Sequence, residues 1–185
     1  MASLRALMTA ALAAVAAALP GRAPDASGFS FTPAPSDQST CGPPSFHIAG
    51  PSAPAMPPAD WRHCAALFSS WAGRSGTFAV HDDSDDGGAG AGDGGGGNAT
   101  LRFIPLLAAR GCVLGVRAAG DGGSGGGGSG AWLMVGDGDV KGIMRTALEE
   151  WSRGSEIEVQ GEVVCAAEEG GTGGLRWQIY GDERA

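Results

Sequence analysis

Hydrophobic residues recur at helical spacing in two segments of the chain, and each segment predicts an amphipathic helix. The first helix is expected to open at residues 57–60, where prolines suit a helix start, and to stop at Gly73. The second is expected to be capped by Asp137 or Asp139 and to end in a left-handed turn at Gly154. The apolar stripes are Trp61, Cys64, Ala65, Phe68 and Trp71 in the first helix, and Val140, Ile143, Met144, Ala147, Leu148 and Trp151 in the second.

Short runs with β-type patterning surround these helices and predict strands. Pro105 limits the run 101–107 to an edge strand or an irregular segment, because proline cannot donate a hydrogen bond to a sheet. The spacing of the runs 111–116 and 131–135 predicts that they are hairpin partners joined by an expanded loop. The other predicted strands are residues 45–48, 77–81, 157–166 and 175–180.

The order of these elements is strand, helix, strands, helix and strands, and this order favours an α+β fold. We expect a small disulfide-stapled sandwich in which two helices pack on one face of an antiparallel sheet. The domain is expected to span residues 41–181. Two Gly-rich tracts, 87–97 and 120–130, are interpreted as loop insertions, which cost little because closure entropy grows slowly with loop length.

The N-terminal segment predicts export. In residues 1–20, Arg5 precedes an unbroken run of Ala, Leu, Met and Val, which is the layout of a secretory signal peptide. Residues 21–40 are rich in Pro, Ser and Ala and are predicted to form a disordered arm. We therefore expect a secreted, extracellular protein, and the alternative is an Ala-rich helix that is retained. Asn98 opens an Asn-Ala-Thr acceptor for N-glycosylation.

The charge balance narrows the classes of partner. The formal net charge is -8, and Lys141 is the chain's only lysine. Nucleic acids and anionic membranes bind positively charged faces, so neither is expected as a partner. No long apolar run follows the leader, so stable membrane insertion is not expected either.

The pattern of polar side chains predicts no catalytic residue, no cofactor and no metal site. The three histidines, His47, His63 and His81, fall in three different elements, whereas a zinc site needs several ligands at short spacing. The acidic run 82–86 lacks the glycine and distal glutamate of a calcium loop and is interpreted as a solvated loop. The glutamate pairs at 149–150 and 168–169 are expected on exposed surfaces, without the pocket that acid–base catalysis needs.

The tryptophans are assigned to the core. Aromatic side chains can also form sugar-stacking platforms, but these positions favour packing. Four of them fall on inferred apolar faces, namely Trp61, Trp71, Trp151 and Trp177, and Trp132 lies in a predicted strand.

A series of short motifs follows in one order along the chain. They are Thr40-Cys41-Gly42-Pro43-Pro44-Ser45-Phe46, Asp60-Trp61-Arg62-His63-Cys64, Gly76-Thr77-Phe78-Ala79-Val80, Gly111-Cys112-Val113-Leu114-Gly115-Val116, residues 135–140, residues 159–165 and Leu175-Arg176-Trp177-Gln178-Ile179-Tyr180. This ordered set resembles the necrosis-inducing-factor family of fungal pathogen effectors, homologues of a secreted extracellular virulence protein. It departs from the family by two extra residues between Asp60 and Cys64 and by a missing Thr and Phe around Cys112.

The four cysteines, Cys41, Cys64, Cys112 and Cys165, are expected to form two disulfides in an exported protein. Three pairings are possible. Cys41 begins the first predicted strand and Cys165 lies in the penultimate one, whereas Cys64 lies on the inner face of the first helix, above the sheet that holds Cys112. We therefore predict the pairs Cys41–Cys165 and Cys64–Cys112.

The resemblance implies a secreted effector that elicits or modulates the death of host plant cells, and it implies no catalytic residue. We expect a monomer that acts by binding a host plant or microbial target protein rather than by catalysis. The alternatives are a killer-toxin-like protein that acts on membranes or channels of competing microbes, a small secreted hydrolase, and an extracellular module without toxicity.

Overall fold

The computed structural model describes residues 28–49, 56–81, 103–119 and 132–182. The predicted signal peptide, both Gly-rich tracts, the acidic run 82–86 and Asn98 lie outside the described residues. Two helices are present, α1 (Trp61–Trp71) and α2 (Asp137–Glu150). The strands are β1 (Phe29–Pro33), β2 (His47–Ile48), β3 (Ala59–Asp60), β4 (Gly76–Val80), β5 (Ile104–Ala109), β6 (Cys112–Ala118), β7 (Leu133–Gly136), β8 (Ser152–Arg153), β9 (Glu156–Ile157), β10 (Val159–Ala167) and β11 (Thr172–Tyr180).

Most strands belong to one antiparallel sheet of eight strands. Its order is β1-β4-β7-β10-β11-β6-β5, with β2 beside β10, and a smaller sheet has the order β3-β9-β8. The residue before β1 approaches the opposite edge strand: a Cβ added at Gly28 would lie 3.0 Å from Ile104 Cδ1. The natural twist of the strands thus curls the large sheet until it nearly closes into a barrel.

The predicted sandwich is therefore correct only in its coarser features. The antiparallel sheet, the two helices and the two disulfides are present. The protein is mostly β, however, and the helices do not cover one face of a flat sheet. The first helix contacts β5 and β6, near one edge of the sheet, whereas α2 contacts β4 and β7, near the other edge. The two helices also contact each other.

The predicted hairpin between runs 111–116 and 131–135 is wrong. Strand β6 pairs with β5 and β11, whereas β7 pairs with β4 and β10. The hairpin partner of β6 is the preceding strand, β5, because Arg110 and Gly111 form a two-residue turn between Ala109 and Cys112. Gly111 has a positive φ of 75°, which such a turn needs. The run with Pro105 forms the edge strand β5, which is one of its two predicted forms, and its pairing with β6 is irregular between Pro105 and Leu107.

The two helices begin and end close to the predicted positions. Asp60 caps α1, and its Oδ1 accepts hydrogen bonds from the backbone N–H groups of Arg62 (2.8 Å) and His63 (3.3 Å). For α2 the N-cap is Gly136, so Asp137 and Asp139 lie in the first turn instead. Gly154 has a φ of 66° but lies in the turn between β8 and β9, beyond the end of the helix.

The predicted disordered arm is wrong for its described part, residues 28–40. β1 pairs with β4 along its whole length, from Phe29 opposite Val80 to Pro33 opposite Gly76. Phe31 contacts the rings of Phe78 and Trp71, with centroids 4.8 and 5.1 Å apart. Apolar residues at 29 and 31 alternate with polar ones, and this local strand pattern outweighs the Pro/Ser-rich composition around it.

Residues 38–41 are bound to the first turn of α2. Asp139 Oδ2 accepts hydrogen bonds from the backbone N–H groups of Thr40 (2.8 Å), Cys41 (3.1 Å) and Gly136 (3.1 Å). Its other oxygen accepts one from the Ser39 hydroxyl (2.7 Å). A carboxylate near a helix N-terminus is also stabilised by the helix dipole. These bonds fix the segment that leads into Cys41.

A buried ion pair lies beside this contact. Asp137 is fully buried, and its Oδ1 accepts from the backbone N–H groups of Gln38 (2.8 Å) and Gly76 (3.0 Å). Lys141 is 2.8 Å from Asp137 Oδ2 and 2.8 Å from Asp37 Oδ1. Burial opposes ionisation of Asp137, but the hydrogen bonds from Gly76, Lys141 and Gln38 outweigh it and lower its pKa from 3.8 to about 2.

After Cys41 the chain runs along the edge of β10. The backbone N–H of Gly42 donates to Val164 O (2.8 Å), and that of Ser45 donates to Glu162 O (2.9 Å). β2 then continues the pairing, with Ile48 opposite Val159. A glycine is needed where this segment passes beside Gly161 of β10, because a Cβ at Gly161 would overlap Ser45 O and lie 2.6 Å from Trp177.

Replacing Asp137 by Asn should destabilise the protein and flatten its acid response. The carboxylate is ionised in the folded state, so its stabilisation is present above about pH 4 and is lost as pH falls towards its folded pKa. We expect Asp137→Asn to lower the free energy of unfolding by about 3 kcal/mol at pH 7. The wild type should lose about 2 kcal/mol more than the variant between neutral and strongly acidic pH. Denaturant unfolding across pH measures both changes, with the exposed Glu149→Gln as control. Identical pH profiles of the wild type and Asp137→Asn would contradict the assignment of the acid response to Asp137.

Two glycine substitutions should have opposite effects. Gly161→Ala forces a methyl group against Ser45 O and Trp177, so we expect a loss of about 2–3 kcal/mol in the free energy of unfolding. Gly142→Ala, on the exposed surface of α2 with nothing within 4 Å of the new Cβ, should gain about 1 kcal/mol. Thermal and urea unfolding of the purified variants measure the difference. Equal stability of the two variants would show that the segment containing Ser45 does not lie this close to β10.

Candidate functional site

The predicted polar residues do not form a common site. His47 and His63 are exposed on β2 and α1, while His81 follows β4 and packs against Trp132, with ring centroids 4.8 Å apart. Within the described ranges, no group of three or more His, Cys, Asp or Glu could hold a metal ion. The glutamates at 149–150 and 168–169 are exposed.

The cysteines form the two predicted pairs. Cys41 and Cys165 are bonded with Cα atoms 3.9 Å apart, and they face each other as antiparallel neighbours. Cys64 on α1 is bonded to Cys112 at the start of β6, with Cα atoms 5.1 Å apart. The first bond fixes the segment after residue 40 to β10, and the second fixes α1 to the sheet.

Both connections that contain Gly-rich tracts leave the sheet at one end. β4 ends at Val80, which pairs with Leu133, where β7 begins. β5 begins at Ile104, which pairs with Val116 near the end of β6. The turn between β10 and β11 lies at this end too, because Ala167 pairs with Leu133. The helices connect to the opposite end, since α1 precedes the start of β4 and α2 begins directly after β7.

Two of the five tryptophans are not in the core, contrary to the prediction. Trp61 and Trp132 are each 38 % exposed. The helical stripe placed Trp61 inside, but α1 turns Cys64, Leu67 and Trp71 inward instead. The other large exposed apolar residues of the described part are Ile48 (42 %) and Val164 (54 %).

A cleft lies at the C-terminal end of α2. It opens at the surface, has a volume of about 230 Å³ and is lined by Glu150, Trp151 and Arg153. Glu150 and Arg153 are exposed, whereas Trp151 is half-buried. Within the described part of the chain, neither charged side chain has a hydrogen bond or an ion pair, so both are available to a ligand.

Trp151, which lines the cleft, packs on other aromatic side chains. Trp151 stacks on Phe46, with centroids 6.1 Å apart and an angle of 18° between the rings. Phe46 in turn contacts the fully buried Trp177 edge-on at 4.9 Å. Trp61 lies at the same helix end, where its indole N–H donates to Leu148 O (3.3 Å) and satisfies a carbonyl of the last turn.

This cleft is suited to non-covalent binding, and the sequence did not predict it. The sequence pattern predicts Glu150 to be an exposed helix residue and Trp151 to be the end of a core stripe. The arrangement depends on Phe46, which reaches Trp151 only because its segment lies along β10. A tryptophan at the very end of an apolar stripe, between Glu150 and Arg153, was the available signal.

Neither helix in the described residues is long and apolar enough to cross a membrane.

Comparison with known proteins identifies the family. No curated protein matches the chain. A family model for pathogen effectors matches residues 40–165, which is more than half of the chain and includes all four cysteines and the cleft. The resemblance inferred from the motifs is confirmed, and the chain belongs to the Hce2 family of pathogen effectors, described as putative necrosis-inducing factors.

Proposed function

We propose that this protein is a secreted effector that binds a host plant or microbial target protein and thereby elicits or modulates plant cell death. The family match over residues 40–165 carries the proposal. It covers the disulfide-bonded part of the fold, and disulfides persist in the oxidising conditions outside the cell. Both observations support an extracellular site of action.

Binding rather than catalysis is supported by the roles of the ionisable groups. Asp137, whose carboxyl has the most strongly lowered pKa among the described residues, is fully buried and bonded to Gln38, Gly76 and Lys141. Its environment stabilises the fold and leaves no room for a substrate. The exposed side chains at Trp61, Trp132 and Val164 instead offer apolar surface to a partner.

The function can be tested by infiltrating purified, oxidised protein into leaves of a broad panel of plants. We expect ion leakage from at least some hosts, because a folded effector reaches its target from outside the cell. Conductivity of the leaf bathing solution measures it, and reduced and alkylated protein is the control. Silence across the panel would overturn the proposal, and growth-inhibition assays on test fungi would then examine the killer-toxin-like alternative.

The activity should depend on the disulfide that joins α1 to the sheet. Loss of the Cys64–Cys112 bond frees a loop with a sequence separation of 48 residues. The entropy of such a loop corresponds to about 4 kcal/mol of stability. We expect the double variant Cys64→Ala, Cys112→Ala to unfold at lower denaturant concentration and to lose its ion leakage.

A matched control for that variant is Gly142→Ala, which changes α2 without touching a disulfide. It should keep the leakage of the wild type. Full leakage from the double cysteine variant would argue against a fold-dependent effector, because a short linear segment would then suffice for activity.

A further inference from the structure

We propose that the cleft at the end of α2 binds one pyranose unit of a neutral β-1,4-linked glycan of a cell wall. The lining residues Glu150, Trp151 and Arg153 supply the contacts. This inference goes beyond the proposed function, which concerns a protein target and the response of plant cells.

Trp151 supplies an aromatic platform that is held rigidly in place. One face of a pyranose ring carries C–H groups and packs well on the flat face of an indole. Trp151 is held in place because it stacks on Phe46, which rests on the buried Trp177. A platform fixed in this way loses little side-chain entropy when it binds a ligand.

Two charged side chains at the cleft have no partner among the described residues. Glu150 can only accept hydrogen bonds and Arg153 can only donate them, whereas sugar hydroxyls do both. Both side chains are exposed and unpaired within the part of the chain that the structure describes. Their opposite charges balance, so the cleft favours a neutral ligand over an anion or a cation.

The cleft has a size and a position that suit one unit of a polymer. At about 230 Å³ it is smaller than the pockets of roughly 300 Å³ and more that enclose drug-sized ligands. It is open at the surface, which suits a single unit of a longer polymer. Trp61, 38 % exposed at the same end of α2, offers a second aromatic surface for a neighbouring unit.

The test uses the purified, oxidised full chain and two soluble tetrasaccharides, β-1,4-linked glucose and β-1,4-linked N-acetylglucosamine. Indole N–H signals are followed by NMR during titration, and Trp151→Phe assigns the Trp151 signal while keeping an aromatic ring on Phe46. We expect this signal to shift on titration. Arg153→Ala removes a hydrogen bond from a charged group and should weaken binding about tenfold. Glu150→Gln replaces a charged acceptor with a neutral one and should weaken binding about fivefold.

Matched controls come from the same helix. Arg145→Ala and Glu149→Gln remove exposed charges that do not line the cleft, and they should change the affinity less than about twofold. Preference for the glucose oligomer would indicate plant wall glycans as the source, and preference for N-acetylglucosamine would indicate microbial walls. Equal binding of the two tetrasaccharides would support recognition of the β-1,4-linked pyranose unit that they share.

An unmoved Trp151 signal at millimolar concentrations of both sugars would overturn the proposal. So would a shift that Arg153→Ala and Glu150→Gln leave unchanged. The measurement needs no plant tissue, so glycan binding without leaf leakage would reject only the proposed effector activity. Leakage without glycan binding would reject only this inference.

Discussion

The carboxylates of Asp137 and Asp139 hold together stretches of chain that are far apart in the sequence. Between them they accept backbone hydrogen bonds from residues 38, 40 and 41 near the N-terminus and from Gly76 at the start of β4. Because Asp139 positions Cys41, it also sets up the contact with Cys165, and the chain that follows is aligned on β10. The same alignment brings Phe46 to Trp151. The cleft at the C-terminal end of α2 therefore depends on hydrogen bonds at the N-terminal end of the same helix.

Local patterns in the sequence were sufficient to predict most elements. The apolar stripe from Val140 to Trp151 has the periodicity of one helix face, and α2 occupies nearly that span. Pro105 has no N–H to donate to a neighbouring strand. This property favours an edge position, and β5 lies at the edge of the sheet. The disulfide pairs also followed from the expected positions of cysteines on elements. Each of these inferences rests on residues that are close in sequence or on a simple layer arrangement.

The errors concern contacts between distant residues. Composition alone suggested a disordered N-terminal arm, but its order comes from Phe31 packing on Phe78 and from the carboxylates of α2, about a hundred residues later. The pairing of β7 with β4 and β10 could not be read from spacing, because long connections do not fix a partner. The cleft was missed for a related reason: exposure of Trp61 and access to Trp151 depend on how α1 and the residues before β2 pack.

The position of Lys141 has a practical consequence for handling the protein. It carries the only side-chain amine of the chain, and 8 % of the residue is exposed because two aspartates hold its ammonium group. Reagents that acylate or cross-link amines, and enzymes that conjugate ubiquitin to lysine, therefore meet little besides the chain's amino terminus while the fold is intact. Acylation of Lys141 would report opening of the first turn of α2, so a single amine serves as an internal probe of local unfolding.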